Sequence, residues 1–409
     1  MAVHVVNEAR RCLHCKDPQC RRGCPIGTPI PQMIEEFLHG GINNAGQMLF
    51  KNNPLSVICS LVCDHEKQCE GHCILGRKNA PIHVSSIENY ISEAFMDRMN
   101  LEKMPPKKMR AAVIGSGPAG ITISILLALK GYDITVFDSR DRIGGILRFG
   151  IPDFRLPKTL IDKYREKMIA LGIKIRLNTT IGGAIGIDDL FRDGYKAVFI
   201  GTGVWRPKTL GIKGETLGNV VFALDYLCNP AACPVKDRSI IIIGGGNSAM
   251  DVARTAIRQG AKKVTVILRK DHAAASSREI DYAIADGVEF LFCKHPVEIT
   301  DEGVIFEDLA YGEGDSDPQT VPDSAKLYRA DTVVVAVSQG PKNKIVSTTT
   351  GIRVNERGLI VATPDGHTTR EGIFASGDVV LGAKSVVEAV RDSKTVAESM
   401  DAYMRSLTV

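Results

Sequence analysis

Eight of the eleven cysteines of this 409-residue chain lie between Cys12 and Cys73, and the density then collapses. So many thiols in so short a stretch constrain the fold more than any apolar pattern does. They must pair, bind metal or stay reduced. Arg10 and Arg11 stand where a secretory leader would carry its apolar core, so reduced thiols in a cytoplasmic protein are expected.

The first four cysteines and the following proline read Cys-x2-Cys-x4-Cys-x3-Cys-Pro through Cys12, Cys15, Cys20, Cys24 and Pro25. In ferredoxin-type loops of this kind three close cysteines hold one cubane, and the fourth, before proline, reaches another. Cys59, Cys63, Cys69 and Cys73 follow at intervals of three, five and three residues. Disulfides suit secreted chains and structural zinc usually pairs two Cys-x2-Cys units, so iron–sulfur ligation is the better reading. Eight thiolates suffice for two 4Fe-4S clusters, but counting does not divide them.

From Arg110 the pattern becomes strand, glycine-rich turn, helix and strand, and it returns at Ser239. In the first unit an apolar run over 111–114 enters Gly115-Ser-Gly117-Pro118-Ala119-Gly120 and an apolar helix expected over 121–130. Gly115 permits the tight turn, Gly117 lets backbone approach a pyrophosphate, and Gly120 allows close helix packing. The helix N-terminus favours phosphate charge. The next strand ends at Asp138, 23 residues after Gly115, where a carboxylate can accept from both ribose hydroxyls.

In the second unit 239–243 enters Gly244-Gly-Gly246-Asn247-Ser248-Ala249, ahead of a helix expected over 250–259. Its next strand, expected over 264–268, ends in Arg269 and Lys270 instead of an acid. Cations there suit a ribose 2′-phosphate, which an acid would repel, so NADPH is favoured and NADH is the alternative. The competing reading is a solvated strand end, because Arg and Lys are usually exposed.

Arg11-Cys-Leu-His-Cys15, Cys24-Pro25, Asn53-Pro-Leu55 and Cys59-Ser-Leu-Val-Cys63 resemble the N-terminal domain of dihydropyrimidine dehydrogenase and the glutamate synthase small subunit. The resemblance runs over nearly the whole chain. It implies that one cluster takes Cys12, Cys15, Cys20 and Cys73 and the other Cys24, Cys63 and Cys69, with Cys59 a packing thiol. Relatives complete the second cluster with a Gln or Glu on the following helix, which implies Glu88 here. Ser85 and Glu88 also have the spacing of a capping box at the start of an apolar-periodic helix, so both readings stand.

The same resemblance makes the first nucleotide FAD. The block from Gly144 to Lys158 looks like the flavin-lining stretch of those relatives and adds Gly145, Ile146 and Arg155 to the site. Gly377-Asp378 looks like the flavoprotein motif whose aspartate binds the ribityl-pyrophosphate region. A helix starting near Ser385 and Val386 would then aim its positive end at the pyrimidine edge of the flavin.

The implied architecture is multidomain, with two Rossmann-like α/β nucleotide-binding domains arranged as in glutathione-reductase-like flavoproteins. An α-helical iron–sulfur domain is expected over 1–105, with its boundary in the segment 104–109. An FAD domain is expected over 106–235 and 325–409, and an inserted NAD(P) domain over 236–324. A strand expected over 331–337 and the tail after it are expected to complete the FAD domain. Hydride would pass from nicotinamide to flavin and single electrons onward to the clusters, with no side chain given a catalytic role.

No second active site for an organic substrate is recognisable. The implied acceptor is therefore a separate catalytic subunit, glutamate synthase-like or dihydropyrimidine dehydrogenase-like, or a ferredoxin-like protein, in a hetero-oligomer. Rival readings are a flavin disulfide reductase, prompted by Cys228-x4-Cys233, and a noncatalytic iron–sulfur scaffold. The pair lies beyond Pro207 instead of just after the flavin fingerprint, which weighs against dithiol chemistry; Cys293 reads as strand packing. A net charge of +4 gives little support for a nucleic-acid partner. No membrane insertion is expected, since the longest apolar stretch, 121–129, is far short of the ~20 residues that span a bilayer.

Overall fold

In the computed structural model, which describes residues 2–39, 41–99, 104–311 and 318–407, the cysteine region is helical. Its principal helices are Ala2–Arg10, Ile30–Leu38, Ile42–Asn52, Ser56–Val62 and Val84–Arg98. Ile30, Met33, Ile34 and Phe37 recur at helical spacing and are all buried. They meet Leu49, Ile87 and Ile91, and Cys69 is packed into the same core. The thiols thus sit on short helices and turns around a small apolar centre.

The chain divides into two compact units, the first built from Met1–Arg148, Asp153–Val204 and Pro341–Val409, the second from Phe149–Pro152 and Trp205–Gly340. The cysteine helices join the first nucleotide fold in one unit.

The first unit holds a parallel sheet in the order Ile373–Ala375, Tyr195–Ile200, Arg110–Ile114, Asp133–Phe137, Lys174–Arg176. The second holds another, in the order Val220–Phe222, Thr332–Val335, Ser239–Ile243, Lys263–Ile267, Glu289–Leu291. The strand at 332–335 was expected to complete the FAD domain, and this placement corrects that. Its four residues are all buried, as a strand paired on both edges and covered on both faces must be, and Ser239–Ile243 and Val220–Phe222 supply the two edges. Apart from Phe149–Pro152, the second unit accordingly runs from 205 to 340, wider than the expected 236–324. It also carries an antiparallel addition of Lys294–Thr300, Gly303–Ala310, Gln319–Thr320 and Lys326–Arg329.

In each sheet the glycine-rich loop leaves a strand whose neighbours continue the chain in opposite directions, which is where open α/β sheets bind nucleotides. No helix among the described residues is long and apolar enough to cross a membrane.

Candidate functional site

Cys12, Cys15, Cys20 and Cys73 line one recess, with Ile30, Ile34 and Val84 behind them. His14 turns the chain between the first two with a φ of 45°. Burial pushes the Cys20 thiol up to about 11, and the Cys73, Cys12 and Cys15 sulfurs beside it push the same way. Cys12 is raised by burial too. Iron ligation would displace the protons these thiols hold.

A second set gathers Cys24, Cys63, Cys69 and Glu88. Cys69 is raised by burial and then by Glu88, Glu70 and Cys24 around it. Cys63 is raised by its hydrogen bond with Cys59, by burial, and by Glu88 and Cys69. Glu88 itself is 7% exposed, and burial, with Glu70 adding, pushes its carboxyl to about 8.

The capping reading of Glu88 fails. Its helix starts at Val84, so Ser85 lies inside the first turn, and no side chain caps it from His83. The Ser85 N–H donates instead to Glu70 Oε1 at 2.8 Å. Glu70 satisfies the helix end, which leaves Glu88 as a buried carboxyl among thiols. That chemistry suits an oxygen ligand.

Among the described residues no three His, Cys, Asp or Glu side chains close to single-ion distance. A cubane fits wider sets, since each of its ligands takes a different iron.

The cradle expected to take FAD is built from loops of the first unit. Gly115 has a φ of +97°, and a Cβ there would stand 2.6 Å from the Gly201 carbonyl. The helix begins at Pro118, capped by Gly117, which is earlier than expected because proline is pre-set for the first helical position. Gly145, with a φ of +51°, would drive a Cβ to 2.7 Å from the Gly117 Cα, so the two loops meet backbone to backbone. A Cβ at Gly377 would lie 3.3 Å from that of Ala119, which brings the C-terminal motif to the same helix start.

Asp138 Oδ2 accepts from the Ser116 N–H at 2.8 Å and its Oδ1 from the Arg140 N–H at 2.9 Å, so the acid shapes the loop it was expected to serve. Asp378 Oδ1 accepts from the Lys384 N–H at 3.1 Å. Burial pushes Asp378 to about 7, with Glu388 adding. Ser385 caps the Val386–Ser406 helix in a capping box with Glu388. Ile146 opens the short Ile146–Phe149 helix, and Arg155 is half-buried ahead of Lys158–Ala170. These backbone N–H groups, helix starts and acids fit a dinucleotide whose pyrophosphate lies against the loop.

The second cradle repeats the first. A Cβ on Gly244, at φ +131°, would stand 2.4 Å from the Ala336 carbonyl. Gly246 caps the Asn247–Arg258 helix, so Asn247 and Ser248 lie in its first turn. Asn247 Oδ1 accepts from the Ser276 N–H at 3.0 Å and draws the start of the Ser277–Ala285 helix, with Arg278, to the loop. The Gly244 N–H donates to the Ile267 carbonyl at 3.1 Å. Arg269 and Lys270 follow that strand, exposed, on the same sheet edge. Neither forms a salt bridge among the described residues.

Cys228 ends the Ala223–Cys228 helix, and burial raises the Cys233 thiol, the opposite of an activated nucleophile. Cys293 sits in a turn at φ 56°, not in a strand as expected.

Residues 109–393 match the pyridine nucleotide-disulphide oxidoreductase family, and residues 2–100 match dihydropyrimidine dehydrogenase domain II, 4Fe-4S cluster. The chain is 34% identical over 426 residues to the glutamate synthase (NADPH) small chain of Halomonas elongata, covering 97% of this chain and 90% of that one. It is 31% identical over 408 residues to the NAD-dependent dihydropyrimidine dehydrogenase subunit PreT of Salmonella typhimurium, covering 98% and 94%. The chain belongs to the family of these two subunits.

It is an NAD(P)H-dependent oxidoreductase with FAD and iron–sulfur domains. Among solved structures, T. acidophilum thioredoxin reductase aligns at a TM-score of 0.56 and 21% identity over 73% of this chain and 98% of its own. The 2-naphthoyl-CoA reductase complex aligns at 0.59 and 19% over 91% and 49%. Likeness at that identity concerns the fold. Cys228, Cys233 and Cys293 lie outside the thiol sets and the two cradles, whereas Glu70 and Gly201, which shape them, were not singled out from the sequence. Gly201 alone had a sequence signal, a Gly-Thr-Gly turn after an apolar strand.

Proposed function

We propose that this chain is the electron-input subunit of a larger cytoplasmic enzyme, taking hydride equivalents from NADPH in preference to NADH. It delivers single electrons through two 4Fe-4S clusters to a separate catalytic subunit, in a hetero-oligomer. Cys12, Cys15, Cys20 and Cys73 hold one cluster; Cys24, Cys63, Cys69 and Glu88 hold the other. Bound FAD supplies the exchange between hydride and one-electron chemistry.

The observation that carries the reading is the packing of the 52–54 segment, which leads into the helix before Cys63, against the flavin half of its own unit. Lys394, on the helix capped at Ser385, donates to Asn52 at 3.0 Å, and Tyr164 donates to Pro54 at 2.7 Å. A bound flavin and the residues that would hold iron thus belong to one packed body. The chain's own groups orient and tune: glycine loops seat the phosphates, and Arg269 and Lys270 select the 2′-phosphate. The raised Cys233 thiol counts against disulfide reduction, and two sterically intact cradles count against a scaffold.

Anaerobically purified protein should contain roughly eight irons and matching sulfide, and its flavin absorbance should bleach on NADPH addition. Half that iron would leave one cluster, and no bleaching with either nicotinamide would favour the scaffold. Co-purification with mass spectrometry should recover a glutamate synthase-like or dihydropyrimidine dehydrogenase-like subunit, or else a ferredoxin-like acceptor.

A further inference from the structure

Three hydrogen bonds connect the flavin half of the first unit to a cysteine of the second thiol set. Lys394 Nζ donates to Asn52 Oδ1 at 3.0 Å, Asn52 Nδ2 donates to Thr28 Oγ1 at 3.3 Å, and the Thr28 hydroxyl lies 3.3 Å from Cys24 Sγ. Lys394 has donors only, so it fixes the Asn52 amide with oxygen toward itself and nitrogen toward Thr28. Thr28 then receives from Asn52 and has its own proton left for the sulfur. With Cys24 ionised as a ligand, every donor in the chain points the same way, from ammonium to thiolate.

We propose that Lys394 acts through Asn52 and Thr28 on the Cys24 sulfur and so raises the reduction potential of the second cluster. The proposal rests on Cys24 being a ligand of that cluster. Reduction adds negative charge to the cluster, and a hydrogen bond to a ligating sulfur stabilises that charge. The ammonium polarises the amide and hydroxyl ahead of it and strengthens the last bond.

The geometry is well held. Thr28 is 3% exposed, and the Ser393 hydroxyl, next to Lys394, bonds the Ser376 hydroxyl at 2.9 Å in a buried pair. Ser376 immediately precedes Gly377 and Asp378 of the flavin cradle. Burial lowers the Lys394 ammonium below the usual lysine range, and the Cys24 sulfur beside it acts in the opposite direction. Lys394, Asn52 and Thr28 are positioning residues; none touches the reacting atoms.

Redox titration of the full chain followed by electron paramagnetic resonance tests this with Thr28→Val, Lys394→Met, Lys394→Arg and the Thr28→Val/Lys394→Met double variant. Thr28→Val and Lys394→Met should each lower the second cluster's reduction equilibrium about threefold to tenfold, tenfold being ~59 mV for one electron. Lys394→Arg should keep the wild-type potential. The double variant should shift no further than Thr28→Val, and the first cluster should not move.

An unchanged potential in Thr28→Val with full iron and sulfide would overturn the relay, as would additive shifts, which would make Lys394 act through space. Cys24→Ser separates the two failures. Loss of the second cluster in that variant keeps the ligand assignment whatever Thr28→Val does; retention of both clusters with an unchanged signal sinks the assignment and the relay together.

Discussion

The Tyr164 hydroxyl donates to the Pro54 carbonyl at 2.7 Å in a buried contact between residues 110 apart in sequence. Tyr164 belongs to the Lys158–Ala170 helix of the flavin half, and Pro54 immediately precedes the turn into the helix that carries Cys59. Asn53 Oδ1, accepting from the Leu55 N–H at 2.9 Å, holds that turn in shape. Tyr164→Phe leaves the carbonyl buried and unpaired, which costs about 1–3 kcal/mol. Urea unfolding should show that loss with flavin and iron content unchanged under native conditions. Wild-type stability in the variant would mean that the contact does not join the two parts.

The second cluster distinguishes two buried neighbours. Cys59 is 2% exposed and engages Cys63 by a hydrogen bond, whereas Glu88 has lost its capping role to Glu70. Glu88→Ala should lose or alter one cluster, seen as missing iron or a changed resonance signal, while Cys59→Ala keeps both at some cost in packing. The reverse pattern would make Cys59 the fourth ligand and Glu88 a bystander.

The fold and most of both cradles were legible because their signals are local. Gly115, Gly117 and Gly120 are required by a turn, a close approach and a packing contact that all lie within one strand–helix step. The placement of Thr332–Val335 was not legible, since a short apolar strand carries no mark of which sheet will pair it. Glu70 was missed for a related reason: it caps a helix 15 residues away, beyond any spacing rule. Lys394 and Asn52 are 342 residues apart, and only the folded chain brings them together.

Asp378 gives a pH dependence with a definite sign. Its folded carboxyl is raised to about 7, chiefly by burial, against ~3.9 in an unfolded chain. Below about pH 4 it is neutral in both states and its contribution is fully present. Between ~4 and ~7 the unfolded state ionises first and folded stability falls; above that both are ionised and the loss is complete. Asp378→Asn removes the effect. Allowing for partial solvent screening, the variant should gain ~1–2 kcal/mol on the wild type between pH 5 and 8 in urea unfolding. Parallel pH profiles would show that the raised carboxyl is not linked to folding.

Arg269 is the sharpest test of nicotinamide choice because its backbone is held independently of its side chain. The Tyr311 hydroxyl donates to the Arg269 carbonyl at 2.6 Å, so a substitution there changes charge without releasing the chain. Arg269→Glu replaces attraction to a 2′-phosphate by repulsion at an exposed sheet edge. The KM for NADPH should rise tenfold or more, a loss of at least ~1.4 kcal/mol, with kcat nearly kept, since the 2′-phosphate takes no part in hydride transfer. The KM for NADH, which lacks that phosphate, should stay within about twofold. A shared fall in kcat for both donors would point to a disturbed fold, and an unchanged NADPH KM would return Arg269 to the role of a solvated strand end.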